Sequence, residues 1–262
     1  DYCVVLFDMF GNGQATSASN AHPEQRGQRF PLVTIADNVA AQQAVINQWF
    51  GNPEVALATG WSMGGMQSCH WAVTAGTRVK RLLPVCATYR CWPHNAVFLQ
   101  GLRAALFADP LTRQSQAGPP PVEGLKAFAR VYAGWAYSQA FYRKELYRGL
   151  GFADQAALLD YWEQDHLGQD AHDLLAMLAA WEAAAGHDLE ALGQVEAETV
   201  YMPARTDLYF TVEDARAEVA KIANARTRVL ESEYGHAAGA PGRIVASTAQ
   251  WLKAMGDLLC SG

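Results

Sequence analysis

Residues 60–65 of the chain read Gly-Trp-Ser-Met-Gly-Gly, after an apolar run at 55–58 and before a helical pattern at 66–75. This succession predicts a strand, a sharp turn and a helix, with Ser62 raised above the end of a sheet. The glycines keep side chains away from the turn, so that a base can approach the hydroxyl. The alternative is an ordinary glycine-rich connection. If Ser62 is a nucleophile, the chain must also supply a histidine base and a carboxylate that orients it.

The composition is that of a globular protein, because half of the 262 residues are hydrophobic and can form a substantial core. A net charge of -6 without a Lys/Arg cluster disfavours binding to nucleic acid or anionic membranes. The five cysteines are odd in number and lack metal-ligand spacing, so we expect reduced thiols and no metal site. There is no apolar run of membrane-spanning length and no leader pattern. We therefore expect a cytoplasmic protein.

Strand-like and helix-like patterns alternate along most of the chain. The predicted strands are 2–7, 55–58, 81–86, 199–202 and 227–230, and the predicted helices outside the middle of the chain are 35–50 (capped by Thr34), 66–75, 212–222 and 244–259. Residues 96–195 carry long amphipathic patterns without a convincing strand, including helices at 97–108 and 170–181. The predicted fold is α/β, a mostly parallel sheet flanked by helices. Its core is 1–95 and 196–262, interrupted by a helical cap at 96–195.

Two further residues complete a catalytic triad with Ser62. Asp207 and His236 each follow a predicted strand, and functional groups gather at the carboxyl ends of parallel strands. The chain order Ser, Asp, His is the order that this kind of nucleophile turn uses. Asp214 is a weaker candidate because it lies one turn into the next helix. The histidines in polar loops, helices or the cap are better explained by surface or packing roles: His22, His70, His94, His166, His172 and His187.

Aromatic side chains crowd residues 128–147, where they form either ordinary core or a wall over an apolar substrate. We predict four substrate-binding residues: Trp61, Trp135, Tyr137 and Tyr209. The backbone N–H of Met63 is the predicted oxyanion donor, because it follows the nucleophile directly.

Four stretches resemble the homoserine O-acetyltransferase-like group of α/β-hydrolases, and the similarity covers nearly the whole chain. They are Phe-Asp-Met-Phe-Gly-Asn-Gly at 7–13, Gly-Trp-Ser-Met-Gly-Gly-Met-Gln at 60–67, Arg-Ala-Ala-Leu at 103–106 and Thr-Asp-Leu-Tyr-Phe at 206–210. The resemblance implies a triad of Ser62, Asp207 and His236, a helical lid and acyl transfer through an acyl-serine. It implies no cofactor, with acetyl-CoA as co-substrate only if the protein is a transferase, and it is compatible with a homodimer.

Two departures from that group concern the acceptor of the acyl group. Homoserine acetyltransferases carry an aspartate after the catalytic histidine, which pairs with the substrate ammonium, whereas this chain has Ala237. Residues 137–139 read Tyr-Ser-Gln where those enzymes tend to carry Tyr-Arg-Ser. An ammonium group without a partner would cost several kcal/mol to desolvate. We therefore expect hydrolysis of a small carboxylic ester, with O-acetyl transfer and a catalytically inactive binding module as the alternatives.

The resemblance also predicts that the chain lacks N-terminal strands. Members of the group carry a strand before residues 2–7, lying between that segment and the nucleophile strand. The loop after it supplies the second oxyanion-hole N–H. Without that strand two sheet edges stay unpaired, so the 262 residues are expected to be a fragment or one of two pieces.

Overall fold

A computed structural model describes residues 2–114 and 118–260 of the chain. Its strands form one parallel sheet in the order β1-β2-β3-β4. The strands are β1 (Ala58–Trp61), β2 (Arg81–Val85), β3 (Glu198–Tyr201) and β4 (Ala225–Thr227). The α-helices are α1 (Ile35–Phe50), α2 (Met63–Ala75), α3 (Pro93–Ala108), α4 (Val122–Ala136), α5 (Gln139–Arg143), α6 (Gln155–Leu167), α7 (Ala171–Ala183), α8 (Val212–Val219) and α9 (Val245–Cys260).

Helices cover both faces of the sheet. Leu82 and Tyr201 point to the face on which α1, α2 and α8 pack, whereas Leu83 and Val200 point to the face covered by α9. Successive side chains of a strand alternate between faces, and both faces here are buried, which is why β2 reads as a continuous apolar run. The predicted α/β architecture is confirmed.

Helix α1 shows how local sequence fixes an element. The Thr34 hydroxyl accepts the Asp37 N–H at 3.1 Å, and the Asp37 carboxylate accepts the Thr34 N–H at 2.8 Å. Each side chain therefore satisfies a backbone donor that the first turn leaves free. Gly51 ends the helix in the left-handed region at φ +67°. The predicted helix at 35–50 is confirmed.

The described residues between β2 and β3 form helices and loops without a strand. Helix α3 begins at Pro93, four residues before the predicted start, because Asn95 accepts the Trp92 N–H and caps it. Helix α6 was not predicted. Helices α3, α4 and α7 pack around an apolar cluster that also holds Tyr209 and Phe210. The boundaries assigned to core and cap stay predictions.

The predicted buried strand at 2–7 is wrong. The segment has no strand partner among the described residues, and the side chains of Val4 and Leu6 are 77% and 90% exposed. A strand needs a neighbour for its backbone hydrogen bonds. The sheet ends at β1, and the segment does not pair with it. The last strand, β4, also lies earlier than predicted, although an isolated bridge between Ala204 and Leu230 continues its ladder.

None of the described helices combines the length and apolar character that crossing a bilayer requires.

Candidate active site

Ser62 stands on the turn between β1 and α2. Its backbone has φ +57° and ψ −128°, an uncommon region for a residue with a side chain. The turn is tight, since a Cβ on Gly60 would lie 2.3 Å from the carbonyl carbon of Gly64, and one on Gly65 would lie 2.4 Å from the Ala87 Cβ. Only glycine fits at these two positions. The backbone thus holds the serine at the carboxyl end of β1.

Ser62, His236 and Asp207 form one hydrogen-bonded line. The Nδ1 of His236 lies 2.8 Å from Asp207 Oδ2, and its Nε2 lies 2.9 Å from Ser62 Oγ. A carboxylate can only accept, so Nδ1 carries the proton and Nε2 accepts from the serine hydroxyl. The Asp207 side chain is fully buried and the His236 side chain is 5% exposed, whereas Ser62 is half-buried. The hydrogen-bonded line therefore runs from the Asp207 carboxylate, which is shielded from solvent, to the Ser62 hydroxyl, which is accessible.

Asp207 is held by the backbone that follows it. Its Oδ1 accepts the N–H groups of Tyr209 at 2.8 Å and Phe210 at 3.2 Å, which leaves Oδ2 for His236. This Asx-type turn forms just beyond β3 and fixes the carboxylate without help from a cation.

The histidine loop is fastened to the aspartate loop through Thr206. The Thr206 hydroxyl accepts the Gly235 N–H at 3.1 Å and donates to the Ser232 carbonyl at 3.0 Å. Gly235 has φ +62°, and a Cβ there would lie 2.7 Å from the backbone nitrogen of Ser138. His236 is the second residue of a short 3-10 helix, Gly235–Gly239. Two residues adjacent to the triad therefore set the separation of Asp207 and His236.

Aromatic rings enclose His236. Trp61 stacks on the imidazole with ring centroids 5.1 Å apart and donates its Nε1–H to the His236 carbonyl at 3.3 Å. Tyr209 meets the imidazole edge-on at 4.7 Å and is only 1% exposed, so its ring packs against the histidine. Trp61 is half-buried beside Ser62 and remains a candidate for substrate contact.

The two substrate-binding residues predicted in the cap differ in their surroundings. Trp135 is half-buried and lies parallel to Tyr209, with centroids 6.2 Å apart. The substrate contacts expected of Tyr137 and Tyr209 stay predictions. Tyr137 is completely buried and stacks on Phe141 at 4.0 Å, inside the cluster that also holds Trp162. Its ring belongs to the hydrophobic core. The sequence could not show this, because spacing along a helix does not reveal which face meets solvent.

The N–H of Met63 belongs to the first turn of α2, where backbone donors have no partner within their own helix. It is adjacent to Ser62, as an oxyanion donor requires.

The competing residues take other roles. Thr211 caps α8, because its hydroxyl accepts the Asp214 N–H and donates to the Asp214 carboxylate, and burial raises the pKa of that carboxyl. Among the histidines, His166 is bonded to the carbonyl of Trp162 and His187 to that of Tyr89.

Sequence reasoning missed two buried groups, Cys86 and Glu218. Cys86 follows β2 and lies beside the triad, with its Sγ, the Asp207 carboxylate and a His236 nitrogen all within 4.8 Å of one another. The Asp207 and His236 atoms already bond to each other, which makes them poor candidates for metal ligands. Glu218, on α8, accepts from the N–H groups of Tyr89 and Arg90. Its signal was weak, because a single acid on a helix is usually solvent-exposed.

Comparison with known proteins identifies the family of the chain. A family model described as the alpha/beta hydrolase fold matches residues 1–240. The chain belongs to the α/β-hydrolase family. It is 33% identical over 247 residues to an ethyl acetate hydrolase of Pseudomonas veronii, covering 90% of this chain and 70% of that one.

Two more relatives of this α/β-hydrolase represent the two candidate reactions. An acetylester hydrolase structure from Corynebacterium glutamicum superposes with a TM-score of 0.90 at 31% identity, covering 96% of this chain and 74% of that one. A homoserine O-acetyltransferase of Symbiobacterium thermophilum is 27% identical over 264 residues, covering 90% of this chain and 68% of that protein. The resemblance to the homoserine O-acetyltransferase-like group is confirmed.

Proposed function

We propose that this chain is an enzyme that hydrolyses esters of small carboxylic acids through an acyl-Ser62 intermediate. The observation that carries the proposal is the line Ser62–His236–Asp207, with hydrogen bonds of 2.9 and 2.8 Å. The similarity to an ethyl acetate hydrolase and to an acetylester hydrolase supports it. No cofactor is required for this chemistry.

The proposed reaction has two halves. Ser62 Oγ attacks the ester carbonyl while His236 Nε2 takes its proton, and the Met63 N–H stabilises the oxyanion. Collapse of the tetrahedral intermediate expels the alcohol, which takes the proton from His236. A water molecule, deprotonated by the same nitrogen, then attacks the acyl-serine. The acid is released as the bond to Ser62 Oγ breaks and that oxygen takes the proton back from His236. Asp207 keeps the imidazole oriented and stabilises its protonated form throughout.

The surroundings of the histidine favour water as the acceptor over an amino acid. Ala237 is 6% exposed and belongs to the apolar cluster that holds Tyr137 and Phe141, so it offers no charge to an ammonium group. Ser138 caps α5 by accepting the Phe141 N–H and donates to the Glu233 carbonyl. Neither position provides the charged contact that an amino-acid substrate needs.

The test is Ser62→Ala, assayed for acid release from ethyl acetate and for labelling by a fluorophosphonate probe. Turnover is expected to fall by about 10⁴ or more with loss of labelling. Ser68→Ala is the matched control, since its hydroxyl only bonds the Gly64 carbonyl of its own helix. An unmutated chain that takes no label would contradict the enzyme and favour a binding module. Near-normal turnover in Ser62→Ala would exclude Ser62 as the nucleophile.

Acetyl transfer from acetyl-CoA to homoserine is the second candidate, favoured by the homoserine O-acetyltransferase relatives. Acetyl-CoA would then be a co-substrate. Strong stimulation of CoA release by homoserine would establish it over hydrolysis.

We also propose a reducing, cytoplasmic location, because all five cysteines carry free thiols.

A further inference from the structure

Cys86 occupies an unusual position at the end of β2. The residue is completely buried and has φ +46°, a left-handed conformation that is uncommon for a residue with a side chain. Its N–H donates to the Met202 carbonyl at 3.0 Å, which extends the pairing of β2 with β3. The backbone therefore holds the thiol at the carboxyl edge of the sheet, where the triad also lies.

The space around the thiol is closed. A Cβ on Gly239 would lie 2.7 Å from Cys86 Sγ and 2.6 Å from the Trp61 ring. The thiol, the indole and the histidine loop are thus packed without a gap. Because the Asp207 side chain is also fully buried, bulk water does not reach the carboxylate from this side.

The Asp207 carboxylate has room for one more donor. Its two oxygens offer about four acceptor positions, and three are occupied by the backbone N–H groups of Tyr209 and Phe210 and by His236 Nδ1. A buried carboxylate gains stability from each donor and is costly to leave unsatisfied. Cys86 Sγ lies within 4.8 Å of this carboxylate.

We propose that the Cys86 thiol donates an S–H···O hydrogen bond to the Asp207 carboxylate and acts as a positioning residue of the triad. The bond fixes the carboxylate and disperses part of its negative charge. Asp207 then orients the imidazole of His236 without overstabilising the imidazolium form. Its effect on turnover rests on the proposed function, whereas the bond itself does not.

The thiol stays protonated, as a donor must. Burial, then the negative charge of Asp207, raise the pKa of Cys86 well above its ordinary value. The other titratable groups that interact with Asp207 are Tyr209, whose pKa burial raises, and Tyr132, whose pKa burial raises to about 12. Near neutral pH the Cys86, Tyr209 and Tyr132 side chains are therefore uncharged.

The first test compares Cys86→Ala with Cys86→Ser on this chain. Alanine removes the donor and is expected to lower kcat about 3- to 10-fold with little change in KM. It should also move the acid limb of the pH profile of kcat/KM upward, because a less dispersed charge on Asp207 favours the imidazolium. Serine keeps a donor and should preserve kcat within about 2-fold, with an unshifted profile. Cys69→Ala is the matched control, since Cys69 is equally buried but bonds the neutral Tyr201 hydroxyl.

Equal loss and equal pH shift in Cys86→Ala and Cys86→Ser would overturn the proposal, because packing alone would then explain the effect. So would an Ala variant with unchanged kcat and profile.

The second test needs no turnover and so separates this proposal from the proposed function. The infrared S–H stretch of Cys86, assigned as the band lost in Cys86→Ala, should lie below that of ethanethiol in hexane. In Asp207→Asn it should move back toward the free-thiol frequency, because the acceptor has lost its charge. The proposed hydrogen bond would be overturned if the band of the unmutated chain lay at the free-thiol frequency and did not move in Asp207→Asn.

Discussion

The hydrogen bonds of individual residues distinguish the carboxylate that accepts from His236 from its competitor. Asp207 Oδ2 accepts from the imidazole, whereas the Asp214 carboxylate is engaged by Thr211 at the start of α8. We predict that Asp207→Asn lowers kcat by about 10⁴, since the amide favours the wrong tautomer of His236, and that Asp214→Asn changes it less than about 3-fold. Steady-state hydrolysis of an acetate ester measures both. The reverse ranking would assign the role to Asp214.

The hydrogen-bonded grouping of Ser62, Asp207 and His236 could be predicted from the sequence because each residue carries its own signal. Ser62 lies in a glycine turn, and Asp207 and His236 follow strands in a fixed chain order. The complete burial of Tyr137 could not be predicted, since an aromatic residue has the same sequence pattern whether it lines a pocket or a core. Cys86 also follows a strand, yet a lone cysteine has no motif, and its position within 4.8 Å of the Asp207 carboxylate depends on two loops folding together.

At the scale of elements, α8 is fastened to the loop after β2 by a buried acid. Glu218 accepts from Tyr89 N at 2.6 Å, Arg90 N at 3.1 Å and Trp92 Nε1 at 3.0 Å. Burial outweighs these donors and raises the pKa of Glu218 from its ordinary 4.5 to about 7. The unfolded chain therefore releases this proton first as the pH rises. Glu218 stabilises the fold fully below pH 4.5 and loses that contribution by about pH 7.

We predict from this pKa that Glu218 makes the free energy of unfolding fall by about 3 kcal/mol between pH 4.5 and 7. Glu218→Gln cannot ionise, so this part of the fall should vanish, although the variant is less stable overall because its amide NH₂ faces an N–H donor. Urea unfolding at pH 4.5 and pH 7.5 measures the difference. Glu213→Gln, an exposed acid on the same helix, should keep the fall. An unchanged fall in Glu218→Gln would contradict the assignment.

The loops after β3 and β4 act together through Thr206. Thr206→Val keeps the side-chain shape but removes the bonds to Gly235 and Ser232. We expect kcat to fall about 10-fold with KM nearly unchanged, because the histidine loop loosens while the substrate contacts remain. Thr206→Ser keeps the hydroxyl and should retain kcat within about 2-fold. If Val and Ser behave alike in a kcat and KM comparison, the hydroxyl has no positioning role.

Elements with local signals were predicted well, and those that depend on partners were not. Helix α1 carries its cap at Thr34 and its stop at Gly51, so its bounds follow from neighbours in sequence. Residues 2–7 have the composition of a buried strand, but forming one requires an adjacent strand, which the described residues do not provide. The conformation of residues 2–7 therefore could not be predicted from their own amino-acid sequence.

At the scale of the whole molecule, the site lies where the sheet edge meets the helices between β2 and β3. Tyr209 and Phe210, next to Asp207, pack into the cluster formed by α3, α4 and α7. Ala237, next to His236, packs into the cluster formed around α4 and α5. Both triad loops are thus clamped by the same helical region, so changes in that region are expected to reach catalysis through the loops.

This packing also bears on whether water or homoserine accepts the acyl group. Because Ala237 is buried among apolar side chains, Ala237→Asp would place a carboxylate in the cluster and not beside a substrate. We expect the free energy of unfolding to fall by about 2 kcal/mol or more, measured by urea unfolding, without any gain of homoserine-dependent CoA release. Ala217→Asp, on the exposed face of α8, is the control and should unfold like the unmutated chain.

The unmutated chain should hydrolyse acetate esters and release CoA from acetyl-CoA at the same rate with and without homoserine. Strong stimulation by homoserine would instead make acetyl transfer the reaction, with an ammonium contact supplied by residues other than Ala237.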